Sequence, residues 1–109
     1  MLRWITQHKE YIGFSSPQQY IRTPQFYAAV QASENEFALG ITISKRVGKA
    51  CLRNLLKRRI KHWIRQNGDK LPNGFKLNLV AKPGAGALSW QELCAQLEDL
   101  MLKLRAQAS

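Results

Sequence analysis

The sequence lacks the features that define several large classes of protein. In its 109 residues no apolar run approaches the roughly 18 residues that a membrane-spanning helix needs, and the first residues show no signal-peptide pattern. The two cysteines, Cys51 and Cys94, are far apart and have no second ligand pair beside them, which excludes a zinc motif and a disulfide framework. We therefore expect a cytoplasmic protein that does not span a membrane and holds no structural metal.

Acidic residues are also scarce. Seven Asp and Glu stand against 17 Lys and Arg, which gives a formal net charge of +10 at pH 7. Nine of the basic residues and none of the acids lie between Lys45 and Arg65, so this segment carries nearly the whole excess. A cluster of one sign is typical of a surface that binds a polyanion. The composition thus predicts a nucleic acid or an acidic membrane surface as the partner.

Three segments have the character of helices. Apolar residues at helical spacing predict helices over about Trp4–Phe14 and Lys49–Asn67. Gly68 follows the second of these at the place where a left-handed glycine ends many helices. Ser89 and Glu92 have the spacing of a capping box, so we expect a third helix to begin there and continue through a leucine-rich stripe.

The remaining segments indicate a sheet. Aromatic, β-branched and alternating apolar residues predict strands over Tyr20–Thr23, Gln25–Ala32, Phe37–Ser44 and Phe75–Ala81. The short polar turn between the second and third of these predicts an antiparallel hairpin. The sequence shows no repeat or linker, so we expect a single domain over residues 1–109. Its fold class would be α+β, a small two-layer sandwich in the order α-β-β-(β)-α-β-α.

The helix predicted over Lys49–Asn67 has an apolar arc suited to packing on a sheet, formed by Leu52, Leu55, Leu56, Ile60, Trp63 and Ile64. Cations at every fourth position form a winding stripe that we expect opposite this arc, namely Lys49, Arg53, Lys57, Lys61 and Arg65. Asn54 and Arg58 lie within or beside the stripe. Arg59 falls in the apolar arc, where it either extends past the sheet edge or reaches a nucleic acid from the flank. Lys45, Arg46 and a glycine precede the helix, and a glycine there permits close approach to a phosphate.

No group of residues in the sequence forms an evident catalytic site. Cys51 and His62 are 11 residues apart on the predicted helix, a separation of about 16 Å. The seven carboxylates are scattered, and the adjacent Glu98 and Asp99 point in different directions on a helix. Chemistry on a nucleic acid would therefore have to come from a partner.

A segment of about twenty residues resembles the signature of the bacterial ribonuclease P protein subunit. It consists of Gly40–Ala50 (GITISKRVGKA), followed by Arg53-Asn54 and then by Lys57-Arg58-Arg59. Looser similarity extends over nearly the whole chain, including Arg22–Phe26 and Val80–Pro83. The resemblance implies the family fold, with a left-handed β-α-β crossover around the basic helix.

The resemblance also implies a function. The family's protein is a non-catalytic subunit of an endoribonuclease, in which a large RNA and its magnesium ions remove the 5′ leader of precursor tRNA. It implies no metal bound stably by the protein, and no obligate protein partner is evident. RNA contacts are expected from Lys45, Arg46, Lys49, Arg53, Asn54, Lys57, Arg58, Arg59, Lys61 and Arg65. The leader is expected in a cleft between the first helix and the sheet, where the aromatic residues either contact RNA or fill the core; they are Tyr11, Phe14, Phe26 and Tyr27.

The chain departs from the family pattern at three positions. Leu55 stands where the family has the second arginine of an Arg-Asn-Arg pattern. Its helical angle places it at the margin of the apolar arc, so we expect this position to be used for packing. Ser15 and Gln18 stand where the family has an aromatic residue and a glycine. These two substitutions concern the details of the leader cleft.

Three other functions fit parts of the pattern. A structured-RNA or ribosome-associated binding protein without a role in tRNA processing would use the same cations. A DNA-binding protein would lay the basic helix in a major groove, but groove readers aim Arg, Asn or Gln at base edges, whereas this face suits phosphates. A membrane-surface helix needs its apolar arc for lipid, and here we expect the core to use it.

Overall fold

The computed structural model describes residues 2–15, 19–34 and 36–108, and it confirms the predicted α+β class. In chain order the elements are β1 (Leu2–Trp4), α1 (His8–Ile12), β2 (Gln19–Arg22), β3 (Phe26–Ala32), β4 (Phe37–Ile43), α2 (Ala50–Gln66), β5 (Phe75–Ala81) and α3 (Trp90–Ala108). Short 3₁₀ turns lie at Gly13–Ser15, Lys45–Val47, Gly68–Lys70 and Pro83–Ala87. None of the helices in these ranges is long and apolar enough to cross a membrane.

The strands form one sheet in the order β1-β4-β5-β3-β2. β5 lies in the centre and pairs along its whole length in parallel with β4 and antiparallel with β3. β1 is parallel to β4, and β2 is antiparallel to β3. α2 therefore connects two adjacent parallel strands, which is the β-α-β crossover that the resemblance implies; the left hand of that crossover stays a prediction.

The predicted hairpin of β3 and β4 is wrong, because β5 lies between these strands. The backbone on either side of the expected turn bonds to Gly74 instead. The N–H of Ser33 donates to the Gly74 carbonyl (2.9 Å), and the N–H of Gly74 donates to the Glu36 carbonyl (2.8 Å). In its central position β5 has a partner on each side and buries Leu77 and Leu79. Short-range turn composition favoured the hairpin, whereas this long-range pairing decides the topology.

The N-terminal segment also differs from the helix predicted over Trp4–Phe14. Its first residues form β1 at the edge of the sheet, and the N–H of Ile5 donates to the Leu39 carbonyl (2.9 Å). α1 begins only at His8 and has five residues. The observed order therefore starts with a strand, while the short strand predicted at Tyr20–Thr23 is confirmed as β2.

The two predicted helix-end signals have different outcomes. Gly68 is not left-handed, so the predicted glycine cap is wrong. α2 ends at Gln66 and is capped instead by Asn67, whose side-chain amide donates to the Trp63 carbonyl (2.9 Å). The capping box is confirmed, because the N–H of Glu92 donates to Ser89 Oγ (3.1 Å) and the N–H of Ser89 donates to Glu92 Oε1 (2.9 Å).

The two faces of the sheet are covered differently. α2 and α3 pack on one face, which we call the helical face. Alternate side chains of the strands enter a large core there. Its members include Phe26, Val30, Phe37, Leu39, Leu77 and Leu79 from the sheet, Leu56, Ile60, Trp63 and Ile64 from α2, and Leu93, Leu97, Leu100 and Leu104 from α3.

On the other face, which we call the open face, α1 and the 3₁₀ turn behind it pack on a second, small cluster. Its buried members are Ile5, Phe14, Ala29 and Ala38. Tyr11 packs at the margin of this cluster, and its Oη donates to the Ile5 carbonyl (3.0 Å). A Cβ on Gly40 would lie 2.7 Å from the Tyr11 ring, so the close approach of Tyr11 to β4 requires a glycine there.

Candidate RNA interface

The connection from β4 to α2 is a 3₁₀ turn that exposes Lys45 and Arg46 and buries Val47. Gly48 follows with a φ of 152°, a backbone conformation that other residues rarely adopt. A Cβ at this position would also lie 2.6 Å from Leu52 Cδ2. The glycine therefore lets the chain enter α2 directly behind two exposed cations.

α2 buries Leu56, Ile60, Trp63 and Ile64 and leaves its polar side chains accessible. Besides Lys45 and Arg46, five of the predicted RNA-binding residues are exposed, namely Lys49, Asn54, Lys57, Arg58 and Arg65. Three others are half-buried, namely Arg53, Arg59 and Lys61. The structure thus brings the predicted residues together on one turn and one helix, and none of them is fully buried.

Two basic residues of α2 need separate description. The prediction that Arg53 lies opposite the apolar arc is wrong, because Arg53 is half-buried and its Nε donates to the Gly48 carbonyl (3.1 Å). Its helical angle, between those of Ile60 and Ile64, already indicates this position at about 100° per residue. Arg59 lines an open groove on the outer side of α2, so it lies beside the exposed cations rather than inside the core.

The stripe of cations continues along the flank of α2 that lies next to β1. Lys61 Nζ is 5.3 Å from the centre of the Trp4 ring, and the guanidinium carbon of Arg65 is 6.0 Å from it. A cation over the face of an indole ring is attracted by the ring's negative face. Trp4, for which the sequence pattern predicts a helix, therefore holds two predicted RNA-binding side chains at the edge of the sheet.

The nine basic residues between Lys45 and Arg65 all lack a carboxylate partner in the described ranges. The ion pairs found there involve Arg3, Lys76 and Lys103. The cations of α2 repel one another in the free protein, and a polyanion would remove this repulsion and release counterions.

The residues predicted to line the leader cleft fall on both faces of the sheet. Tyr27 is half-buried on the open face, and so is Tyr11, where burial raises the pKa of the phenol. Phe14 is buried in the small cluster beneath α1. Phe26 is completely buried in the core of the helical face, so the prediction that it lines the cleft is wrong. Phe26 and Tyr27 are neighbours in β3, and neighbours in a strand point to opposite faces of the sheet. Gln18 lies outside the described residues.

β2 adds two side chains to the open face that are not among the predicted site residues. Tyr20 is 49% exposed, and its ring packs edge-on against Tyr27 with ring centres 6.2 Å apart. The guanidinium carbon of Arg22 lies 5.9 Å from the centre of the Tyr20 ring. Alternation within the predicted strand indicates that Tyr20 and Arg22 share a face, but only the register against β3 places them beside Tyr27. The exposed ring of Tyr20, with the half-buried ring of Tyr27 beside it and a cation nearby, suits unpaired bases.

The described side chains contain no group of three or more His, Cys, Asp or Glu that could hold a metal ion. α2 is continuous from Cys51 to His62, which keeps the thiol and the imidazole apart, and the His62 ring instead contacts Trp90. Cys94 is half-buried, and burial raises the pKa of its thiol, which makes it a poorer nucleophile at neutral pH. The basic residues between Lys45 and Arg65 are therefore suited to binding anions.

Comparison with known families gives a consistent result over nearly the whole chain. The family model described as Ribonuclease P matches residues 3–105. A ribonuclease P protein component from Desulfosudis oleivorans is 35% identical over 100 residues, which cover 91% of this chain and 83% of that protein. One from Geobacter sp. (strain M21) is 31% identical over 102 residues, which cover 93% and 87%.

Solved structures share the fold. The ribonuclease P protein of Staphylococcus aureus superposes with a TM-score of 0.82 at 22% identity, covering 94% of each chain. That of Thermotoga maritima superposes with a TM-score of 0.82 at 18% identity, covering 91% of this chain and 94% of the other. The sheet and helices described above are therefore those of a known fold.

Proposed function

The chain belongs to the ribonuclease P protein family, and we propose that α2 binds the catalytic RNA of that enzyme while the open face binds the 5′ leader of precursor tRNA. As a protein component of ribonuclease P, the chain is a subunit of an endoribonuclease that processes tRNA, and it has an RNA partner. The assignment of each partner to a face of the sheet is our proposal.

The cations between Lys45 and Arg65 carry this proposal. Phosphates of a folded RNA are bound by cations that are not already neutralised inside the protein. Lys57, Arg58 and Arg65 are exposed on α2, and neither they nor the other basic residues of the segment pair with a carboxylate in the described chain. The large structured partner is therefore assigned to this side of the molecule.

The leader of the precursor is assigned to the open face. A single strand offers unpaired bases that stack on aromatic rings, and Tyr20, Tyr27 and Arg22 provide two rings and a cation. α1 covers the neighbouring part of this face, where the small cluster holds it. Because the two surfaces lie on opposite sides of the sheet, both RNAs can be bound at the same time.

We assign the hydrolysis to the RNA subunit and to the magnesium ions that it binds. The protein's share is to offset repulsion between the phosphates of the two RNAs and to hold the leader. The scattered carboxylates and the separation of Cys51 from His62 support this division of labour.

A cleavage assay tests the proposal. The purified protein with magnesium and precursor tRNA should show no cleavage, and addition of a bacterial ribonuclease P RNA at low magnesium should restore removal of the leader. The gain from the protein should shrink at high magnesium, where ions replace its charge, and with very short leaders, which cannot reach the open face. Efficient cleavage by the protein alone would overturn the division of labour. Equal rates with and without protein at low magnesium would leave only general RNA binding.

A further inference from the structure

An open groove of about 680 Å³ runs between the outer side of α2 and the first turn of α3. Its lining includes Leu55, Arg58, Arg59, His62 and Trp90. We propose that this groove binds an unpaired base of the RNA subunit, with Trp90 stacking on the base and the two arginines binding the adjacent phosphates. The inference rests on the proposed function and adds a specific subsite to it.

Trp90 is the residue that distinguishes this groove from the rest of the basic surface. Large aromatic residues are mostly buried in folded proteins, yet Trp90 is 36% exposed. It is the first residue of α3, where the capping box of Ser89 and Glu92 fixes the backbone. The His62 ring lies with its centre 5.7 Å from that of Trp90, so one side of the indole is supported. The accessible part of the ring is thus held in place before any ligand arrives.

Leu55 gives the groove an apolar part. The family resemblance leads one to expect an arginine at this position, and an arginine there would offer another contact to a phosphate. Leu55 is instead half-buried and lines the groove with Trp90. An aliphatic side chain beside an indole ring suits the flat, apolar face of a base and offers nothing to a phosphate. In this chain the site is therefore better suited to a base than the family pattern predicts.

The charges around Trp90 favour a nucleotide over an uncharged ring. Arg58 is exposed and Arg59 is half-buried, and none of the carboxylate residues that the structure describes lines the groove. Glu92 belongs to the same turn of α3, but its carboxylate accepts a hydrogen bond from the N–H of Ser89, which lowers the pKa of Glu92. The negative charge of Glu92 therefore stabilises the N-terminus of α3 through the capping box. An aromatic ring flanked by arginines is the combination that binds single-stranded nucleic acid without sequence preference.

The position of the groove selects the RNA that supplies the base. α2 and α3 pack on the helical face, whereas Tyr20 and Tyr27, the rings that we assign to the leader, lie on the open face. Arg58 is also one of the exposed cations of α2 that we assign to the RNA subunit. The base therefore belongs to the RNA subunit rather than to the precursor.

Binding of a short oligoadenylate and of an abasic strand of the same length tests the subsite, with fluorescence anisotropy as the readout. Trp90→Ala should weaken oligoadenylate binding by about 5-fold or more and leave abasic binding unchanged, whereas Trp90→Phe should retain most of the affinity. Leu102→Ala is the matched control, because Leu102 is another exposed apolar residue of α3, 55% exposed, and does not line the groove. Equal losses for both strands, or equal losses in both alanine variants, would overturn the subsite.

Two further measurements separate this inference from the proposed function. Trp90→Ala should weaken binding to the ribonuclease P RNA without changing the salt dependence of that binding, because no charge is removed. If wild-type protein binds this RNA and Trp90→Ala binds it equally well, the subsite is refuted while the proposed function stands. If Trp90→Ala weakens only the binding of precursor tRNA by the assembled enzyme, the assignment to the RNA subunit is wrong.

Discussion

Arg3 in β1 and the basic residues of α2 are cations of the same molecule with opposite surroundings. The Arg3 guanidinium donates hydrogen bonds of 2.8–3.0 Å to both oxygens of Glu10 and of Glu36, and so it joins β1, α1 and the residue before β4. We call this group the N-terminal clamp. The nine cations between Lys45 and Arg65 have no carboxylate partner in the described chain.

The difference shows that the placement of a few acidic residues decides which cations stabilise the fold and which remain available for binding. Acidic residues near Arg3 turn its charge into an internal contact that holds α1 on the open face. The absence of acids from the whole Lys45–Arg65 segment keeps those charges available to an external polyanion. The same residue types therefore stabilise the structure on the open face and remain available for binding on α2.

The largest expected effect comes from removing exposed charge from α2. The triple variant Lys57→Gln, Arg58→Gln and Arg65→Gln should bind ribonuclease P RNA roughly 10- to 100-fold more weakly, because it loses three phosphate contacts, while its melting temperature stays nearly unchanged. The control variant Lys70→Gln, Lys103→Gln and Arg105→Gln loses the same charge outside α2 and should retain most of the affinity. Equal losses in filter binding would mean that net charge alone governs binding.

The next effect concerns the glycine before α2. Gly48→Ala should destabilise the protein by about 1–3 kcal/mol, because its φ of 152° strains an alanine and the new Cβ would lie 2.6 Å from Leu52. Gly68→Ala is the matched control after the same helix, since a Cβ there would meet no atom of the described residues within 4 Å. Denaturant unfolding of both variants measures the difference, and a Gly48→Ala variant as stable as Gly68→Ala would contradict the described entry into α2.

Breaking the N-terminal clamp should affect stability and spare binding to the RNA subunit. Arg3→Gln removes the charge that Glu10 and Glu36 share, and we expect the melting temperature to fall by about 2–4 °C, because the clamp is partly exposed to solvent. Affinity for ribonuclease P RNA should remain within about 2-fold of wild type, since Arg3 lies outside the basic surface formed by Lys45–Arg65, which we call the α2 surface. A loss of RNA affinity as large as that of the α2 triple variant would remove the contrast between the two regions.

The smallest effect is a dependence of stability on acid. Hydrogen bonds from Arg3 lower the pKa of Glu36 from 4.5 to about 2 and lower the pKa of Glu10. A carboxyl with a lower pKa in the folded chain stabilises the fold above its ordinary pKa, and this stabilisation is lost as the pH falls from 4.5 toward 2. Denaturant midpoints should therefore fall over this interval, and they should fall less in Arg3→Gln. Parallel curves for the two proteins would show that the clamp does not hold these carboxylates.

Elements with a regular local pattern could be predicted from the sequence. The helical spacing around Ile60 and the alternation of β5 depend only on nearby residues, and the capping box needs only Ser89 and Glu92. The α2 surface could be predicted for the same reason, because its cations follow one another along a single helix. The position of Arg53 on that helix was predicted wrongly, although its helical angle, between those of Ile60 and Ile64, indicates that it lies within the apolar arc.

Features that depend on distant partners could not be predicted. β5 lies between β3 and β4 because it pairs with both of them over a long separation in sequence. The turn after β3 favours a hairpin, and no short-range pattern in the sequence indicates that β5 lies between the two strands. Tyr20 meets Tyr27 only through the register of β2, and Trp4 meets Lys61 only because β1 joins the sheet edge. The open face is thus assembled from separate segments, which explains why its prediction was less accurate than that of α2.

The salt dependence of RNA binding tests the central claim, that the unpaired cations of α2 bind the phosphates of the RNA subunit. With about five to eight phosphate contacts, a plot of the logarithm of the association constant against the logarithm of salt concentration should have a slope of about −4 to −7. The measurement requires wild-type protein, ribonuclease P RNA and a titration with monovalent salt at constant magnesium. A slope near zero would show that these cations do not contact phosphates in the complex and would contradict the account.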